Sequence, residues 1–291
     1  MVLRAVGVAE HANPKHRARM EDRHVVQNPL PGSFYESAFL GVFDGHGGRE
    51  AADFAAETLH KNLMTELQFG SPDFAEDALE RAYLTTDSQM KYAVPASCGT
   101  TAVTALVTRK KSTDGPRVLY IANVGDARGV LCRDLMNSPV AERMSIDHKP
   151  ADQAERSRIE QAGGAVINQR VLGVLAVSRA LGDHELKSLV SGKPQIQTAE
   201  IPGGSGGVLI LACDGIFDVM SDQEAVDLLV SKSKEFQAEI EAKHDTSKQK
   251  TLGTGGKNAE QHLATFLARA LVSEAMRRCT RDNVTALVAL L

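Results

Sequence analysis

Residues 101–133 read TAVTALVTRKKSTDGPRVLYIANVGDARGVLCR. Three apolar, β-branched runs lie in this stretch, at 101–108, 117–124 and 127–133. Each is short and flanked by turn-forming or charged residues, so each reads as a strand. Gly125-Asp126 joins the second run to the third, and the pair is predicted to form a hairpin. Upstream, a helix is predicted over 49–66, where Ala52, Ala55, Ala56, Leu59 and Leu63 recur at helical spacing. Ser71-Pro72 reads as a cap and first-turn proline for a second helix reaching about Tyr92. Strands that follow one another directly, beside paired helices, predict an α+β fold with antiparallel sheets rather than a regular βαβ array.

Further out, 38–44 (AFLGVFD) and 207–213 (GVLILAC) read as strands, each ending at an acid, Asp44 or Asp214. A helix over 151–162 should stop at Gly163-Gly164. Residues 165–200 have mixed, loop-like character. Ser221 through Glu224 is a capping box that opens a helix to about Ser231. The polar stretch 232–258 reads as an extension of that helix fraying into a mobile insert. A helix over 259–278 and a strand over 284–290 complete the pattern. The last strand needs a sheet partner, so residues 1–291 are expected to form one domain.

The chain has 291 residues, 43% hydrophobic and 24% charged, which excludes disorder for the chain as a whole. A net charge of −4 leaves no basic footprint, so nucleic acid is not expected as a partner. The four cysteines form no CxxC pair, and a reduced cytoplasmic or nuclear setting fits them. The opening MVLRAVGVAEHANPKHR has no continuous apolar core, so no signal peptide is expected. No run reaches the roughly 18 apolar residues of a membrane span.

Asp44, Asp126, Asp214 and Asp282 share one context, each at the end of an apolar strand. Strand ends in one sheet share a rim, and carboxylates that converge there repel unless a cation is present. Hard divalent cations take oxygen ligands. Any one of these acids also fits an ordinary turn. Asp44 opens DGHGG, in which Gly45 offers a close backbone carbonyl and His46 a group that titrates near neutral pH. No Lys-Ser/Thr follows the glycines, which rules out a P-loop. In PKHRARMEDRH, Arg17 and Arg19 suit a phosphate, and Glu21 and Asp22 suit metal-bound water. The same segment also reads as a solvated mixed-charge stretch.

These blocks occur in one order: RARMED (17–22), FDGHGG (43–48), GTTA (99–102), ANVGDAR (122–128), DHKP (147–150), SRALGD (178–183), ACDGIFD (212–218) and RDNV (281–284). The series resembles the type 2C metal-dependent serine/threonine protein phosphatases (PPM-type) along nearly the whole chain. The resemblance implies a four-layer αββα sandwich, two antiparallel β-sheets flanked by helix pairs. It implies a centre of two Mn²⁺ or Mg²⁺ ions and a third, weaker ion. By motif match, Asp44 would bridge both ions and the Gly45 carbonyl would bind one. Asp214 and Asp282 would hold the other, and Glu21 and Asp22 would act through water. Asp126 with Asp214 would serve the third site. Arg17 would grip phosphate, His46 would act as general acid, and Thr101 and Asn283 would support the site. Ala127 stands where Ser is frequent, and Ile216-Phe217 where Leu-Trp is common. The absence of Trp argues against the plant hormone-coreceptor branch.

The expected activity is direct hydrolysis of phosphoserine and phosphothreonine in phosphoprotein substrates, by a water or hydroxide bridging two metals. A monomer is expected, with a flap over 165–200. No Cys-x₅-Arg loop exists, which excludes a cysteine phosphatase. The alternatives are a catalytically inactive pseudophosphatase scaffold and a nuclease using the same strand-end acids.

Overall fold

The structure is a computed structural model and describes residues 2–31, 36–68, 74–109, 116–202, 206–246 and 255–291. The first half runs β1 (Ala5–His11), β2 (Arg23–Gln27), β3 (Glu36–Phe43), β4 (Gly45–His46), α1 (Glu50–Gln68), α2 (Ala75–Ala93), β5 (Gly99–Thr100), β6 (Ala102–Arg109) and β7 (Arg117–Val124). Next come β8 (Arg128–Cys132), β9 (Glu142–Arg143), α3 (Gln153–Gln161), β10 (Val166–Ile167), β11 (Arg170–Val171) and β12 (Leu181–Gly182). Last are β13 (Gln195–Ile201), β14 (Val208–Ala212), α4 (Asp214–Phe217), α5 (Asp222–Thr246), α6 (Gly255–Arg277) and β15 (Val284–Leu290).

Two five-stranded antiparallel sheets form, in the orders β1-β15-β14-β8-β9 and β13-β7-β6-β3-β2. Alternation along each strand explains how they stack. In β15, Val284, Ala286, Val288 and Leu290 join the core under α4, α5 and α6. Leu287 and Ala289 point the other way, into a layer between the sheets. In β3, Leu40 and Val42 enter that same layer, while Phe39 and Phe43 pack under α1 and α2. Both faces of the central strands are thus covered, so they read as continuous apolar runs rather than alternating ones. The result is the four-layer αββα sandwich that the motif series implies.

Several expectations change. Residues 117–133 are not a hairpin: β7 pairs with β6 and β13, whereas β8 pairs with β14 and β9. Gly125, at φ +92, carries the chain from one sheet to the other. Strands buried on both faces carry no mark of which neighbour they pair with, and the short Gly-Asp link imitated a hairpin turn. Residues 195–201, within the stretch read as loop, form the edge strand β13, whose outward residues are polar. Helix α5 runs to Thr246, past Ser231, with Phe236 against Phe266 of α6 at 5.5 Å between ring centroids. The capping box stands, with Ser221 N donating to Glu224 Oε2 at 2.8 Å and Glu224 N to Ser221 Oγ at 3.3 Å. The Ser71-Pro72 cap and part of the proposed insert, 247–254, lie outside the described residues.

Gly7 of β1 is required by α6, because a Cβ there would stand 2.1 Å from the backbone carbon of Ala264. We expect Gly7→Ala to cost about 1–3 kcal/mol through overpacking. A melting curve should shift down by roughly 3–10 °C. An unchanged midpoint would refute this close approach.

Candidate metal centre

The inter-sheet layer ends in acids. Asp44 follows β3 on the side of Leu40 and Val42, and Cys213 follows β14 on the side of Leu209 and Leu211. Thr285 of β15 shares that side and donates from Oγ1 to Asp22 Oδ2 at 2.7 Å. Ligand atoms of Asp22, Asp44 and Cys213 all lie within 4.8 Å of one another. Where valines and leucines fill the layer further in, carboxyls fill it here.

A cleft of about 230 Å³ opens onto this end, lined by Arg17, Asp44, Gly45, His46, Thr101, Asp126, Asp214 and Asp282. Arg170, Leu175, Ala176 and Val177 complete the lining. Eight of the predicted site residues therefore share one cavity. Asp22 is buried beneath it, and Glu21 and Asn283 are not among its lining residues. Glu21 contributes its backbone: a Cβ on Gly45 would lie 2.6 Å from the Glu21 carbonyl oxygen, so only glycine fits against that segment. Asn283 acts as a clamp. Its Oδ1 accepts from Glu21 N at 2.9 Å, and its Nδ2 donates to the carbonyls of Ala12 at 2.7 Å and Arg19 at 3.0 Å. The predicted strand 101–108 is interrupted at Thr101. Thr101 N donates to Asp44 O at 2.9 Å, and Asp44 N donates to Thr101 Oγ1 at 3.3 Å.

The acids fall into two groups. Asp282 pairs with Arg17 and Asp126 with Lys149, so each has a protein cation. Asp22, Asp44 and Asp214 have none at contact distance among the described residues. Burial pushes Asp22 up to about 6, although the Thr285 hydrogen bond works against it. Burial, then the Asp126 and Asp218 charges, pushes Asp214 up to about 8. Burial and the charges of Asp22 and Asp214 hold Asp44 well above the carboxylate range. Asp22 Oδ1 and Asp214 Oδ1 are buried and accept no hydrogen bond from the described residues. Orphaned carboxylate oxygens on Asp22 and Asp214, with Asp44 within 4.8 Å of Asp22, make a donor set that suits a hard divalent cation. Residues and metal therefore fit.

Three further residues of the motif series stand near these acids or the His46 ring. Asp218 adds to the negative field on Asp214. Asp183 Oδ2 lies 2.8 Å from His46 Nε2. Cys213 sits beside Asp22, and burial together with the charges of Asp22 and Asp44 raises its thiol well above the usual range. A thiol held protonated is no nucleophile, which agrees with the missing Cys-x₅-Arg loop. A carboxylate within reach of a glycine-loop histidine was the one available signal for Asp183, and it was long-range.

Fold and site together define a metal-dependent phosphohydrolase. The protein phosphatase 2C family model matches residues 6–284. A fission yeast protein, "Protein phosphatase 2C homolog 1", is 40% identical over 77% of this chain and 63% of its own length. The budding yeast protein of the same name is 34% identical over 98% of this chain and 93% of its own length. The serine-threonine phosphatase 2C structure from Toxoplasma gondii covers 98% of this chain and 94% of that one, with TM-score 0.73 and 22% identity. The chain belongs to the protein phosphatase 2C family, whose members are metal-dependent serine/threonine phosphatases. Nothing supports the pseudophosphatase alternative, since Asp44, Asp214 and Asp282 all face the cleft. No helix among the described residues is long and apolar enough to cross a membrane.

A proton–cation exchange follows. At pH 6 the folded protein without metal holds a proton on Asp214, and in part on Asp22, that the carboxyls of the unfolded chain have released. Native protein then binds more protons than unfolded protein, so stability falls as pH rises toward about 8. EDTA-treated protein should melt at a higher temperature at pH 6 than at pH 8. With Mn²⁺ present the order should reverse, because the cation binds the deprotonated acids. Equal melting temperatures at both pH values without metal would refute the burial of these charges.

Proposed function

We propose that the chain dephosphorylates phosphoserine and phosphothreonine in proteins by direct hydrolysis, using two Mn²⁺ or Mg²⁺ ions and a weaker third. The carrying observation is the set of three carboxyls without protein cations, of which Asp44 and Asp214 line a cleft that also holds Arg17 and His46 and Asp22 is buried beside Asp44. Asp44, Asp214 and Asp282 would hold the ions with the Gly45 carbonyl. Glu21 and Asp22 would act through ordered water, and Asp126 would serve the third site. The ions, when bound, neutralise phosphoryl oxygens and make water a better nucleophile near neutral pH.

The remaining chemistry belongs to the side chains. Arg17, about half exposed, can leave Asp282 for a phosphate, which a guanidinium binds through two N–H groups. His46 would give a proton to the departing serine or threonine oxygen. Its Nε2 faces Asp183, so the proton is supplied from Nδ1. Thr101 holds the Asp44 backbone and Asn283 holds the segment carrying Glu21. A monomer in the cytoplasm or nucleus suits this reading, and the four unpaired cysteines support such a reducing setting.

Asp44→Asn keeps the shape and removes the charge. It should lower Mn²⁺-dependent turnover of p-nitrophenyl phosphate by at least about 10³-fold, as expected when metal-ion catalysis is lost. Calorimetry should show weakened Mn²⁺ binding. Full activity in this variant would overturn the metal assignment.

A further inference from the structure

We propose that Asp183 is the positioning residue for His46, and that α2 fixes Asp183 in place. This rests on His46 serving as the proton donor. His46 Nε2 and Asp183 Oδ2 are 2.8 Å apart, and the Asp183 side chain is almost wholly buried. Space for the pair is reserved in the strand beneath. A Cβ on Gly99 would stand 2.2 Å from Asp183 Oδ2 and 2.4 Å from His46 Nε2.

The backbone around Asp183 is held in an uncommon shape. Gly182 has φ +82 and Asp183 has φ +50, the left-handed region that a side-chain-bearing residue rarely adopts. Three contacts hold it there. Asp183 N donates to Cys98 O at 2.9 Å. Gly182 N donates to Asp87 Oδ1 of α2 at 2.8 Å. Lys187 Nζ donates to the same Asp87 oxygen at 2.8 Å, which closes the loop onto the helix. The line of support thus runs from α2 through Asp87 and Gly182 to Asp183 and the His46 ring.

A carboxylate on one ring nitrogen fixes the tautomer and steadies the charged ring. In the reaction, water forms the new P–O bond as the bond to the serine or threonine oxygen breaks. The electron pair of the broken bond stays on that oxygen, which takes the proton from His46 Nδ1. One water proton stays on the phosphate product and the other restores His46.

The test is a leaving-group comparison in Asp183→Asn, which preserves shape and suits the left-handed backbone. A phosphothreonine peptide has a leaving oxygen that needs a proton, whereas p-nitrophenyl phosphate releases an anion that is stable near neutral pH. With Mn²⁺, kcat on the peptide should fall by about 10²-fold or more, within the range of general acid catalysis. Turnover of p-nitrophenyl phosphate should change by less than about threefold, since its leaving group bypasses the acid. His46→Ala should lose more on the peptide than on p-nitrophenyl phosphate, and the double variant should lose no more than His46→Ala alone. Gly99→Ala, which wedges the pair apart, should show the same split in whatever fraction folds. Equal losses on both substrates, or no loss on either, would overturn the role of Asp183. An unaltered enzyme inactive on both substrates would instead overturn the phosphatase reading.

Discussion

Three carboxyls without a protein cation stand at one end of an apolar layer, Asp22 buried and Asp44 and Asp214 partly open to the cleft. Burial of a charge in such a place is strongly unfavourable unless a partner is supplied. The chain supplies partners selectively. Asp282 and Asp126 receive Arg17 and Lys149, whose side chains reach solvent. Asp22, Asp44 and Asp214 receive no cation among the described residues. Their raised affinity for protons lets a proton take that place at low pH when metal is absent. Protons are exchanged readily for a divalent ion, whereas a buried lysine would have to be expelled. The arrangement keeps the interior site chargeable, and the apolar walls of the two sheets hold the oxygens at a spacing that no flexible loop could maintain.

Residues far apart in sequence meet here because the chain ends are adjacent strands. β1 pairs with β15 throughout, from Ala5 opposite Leu290 to His11 opposite Val284. The segment after β1 then carries Arg17, Glu21 and Asp22 without regular structure of its own. Side chains replace the missing backbone ladder. Asn13 Nδ2 donates to the carbonyls of Thr280 at 2.9 Å and Asp282 at 3.0 Å. Asn283 answers from the other side, bonding at three points along 12–21. Two asparagines suit this task because each offers both donors and an acceptor.

The acids at strand ends were legible because each closes an unmistakable apolar run, as in 38–44 and 207–213. The αββα layering was legible through the ordered motifs, and the strand and helix positions agreed with it. Pairing was not. β7 and β8 are both apolar on each face, so nothing local distinguishes a hairpin from a crossing between sheets. β13 was missed because an edge strand of QIQTAEI carries polar residues outward. The division of the acids into paired and unpaired sets was also hidden. Lys149 lies in DHKP, 23 residues from Asp126, and Arg17 lies 265 residues from Asp282. Burial and partner choice are properties of the assembled layer and have no signature in local sequence.

The segment from Asn123 to Ser191 is fastened to the edge of the site through His148. His148 N donates to Gly125 O, and Ser178 N donates to His148 O, both at 2.9 Å. The Asp126 turn and the root of the 165–177 segment therefore share one residue. Burial, with the Arg179 charge, pushes the His148 ring down to about 4, so it stays neutral and its Nδ1 accepts from Gly125 N at 3.2 Å. Arg158 and Arg179 both grip Glu155 of α3, which fastens that root further. Beyond the root the character changes. Ile167, Leu172 and Val174 are exposed, and Asn168, Gln169 and Leu172 take left-handed backbone. Arg170, between them, lines the cleft. The exposed tip and the anchored root are thus built differently, the root by hydrogen bonds and ion pairs and the tip by short turns.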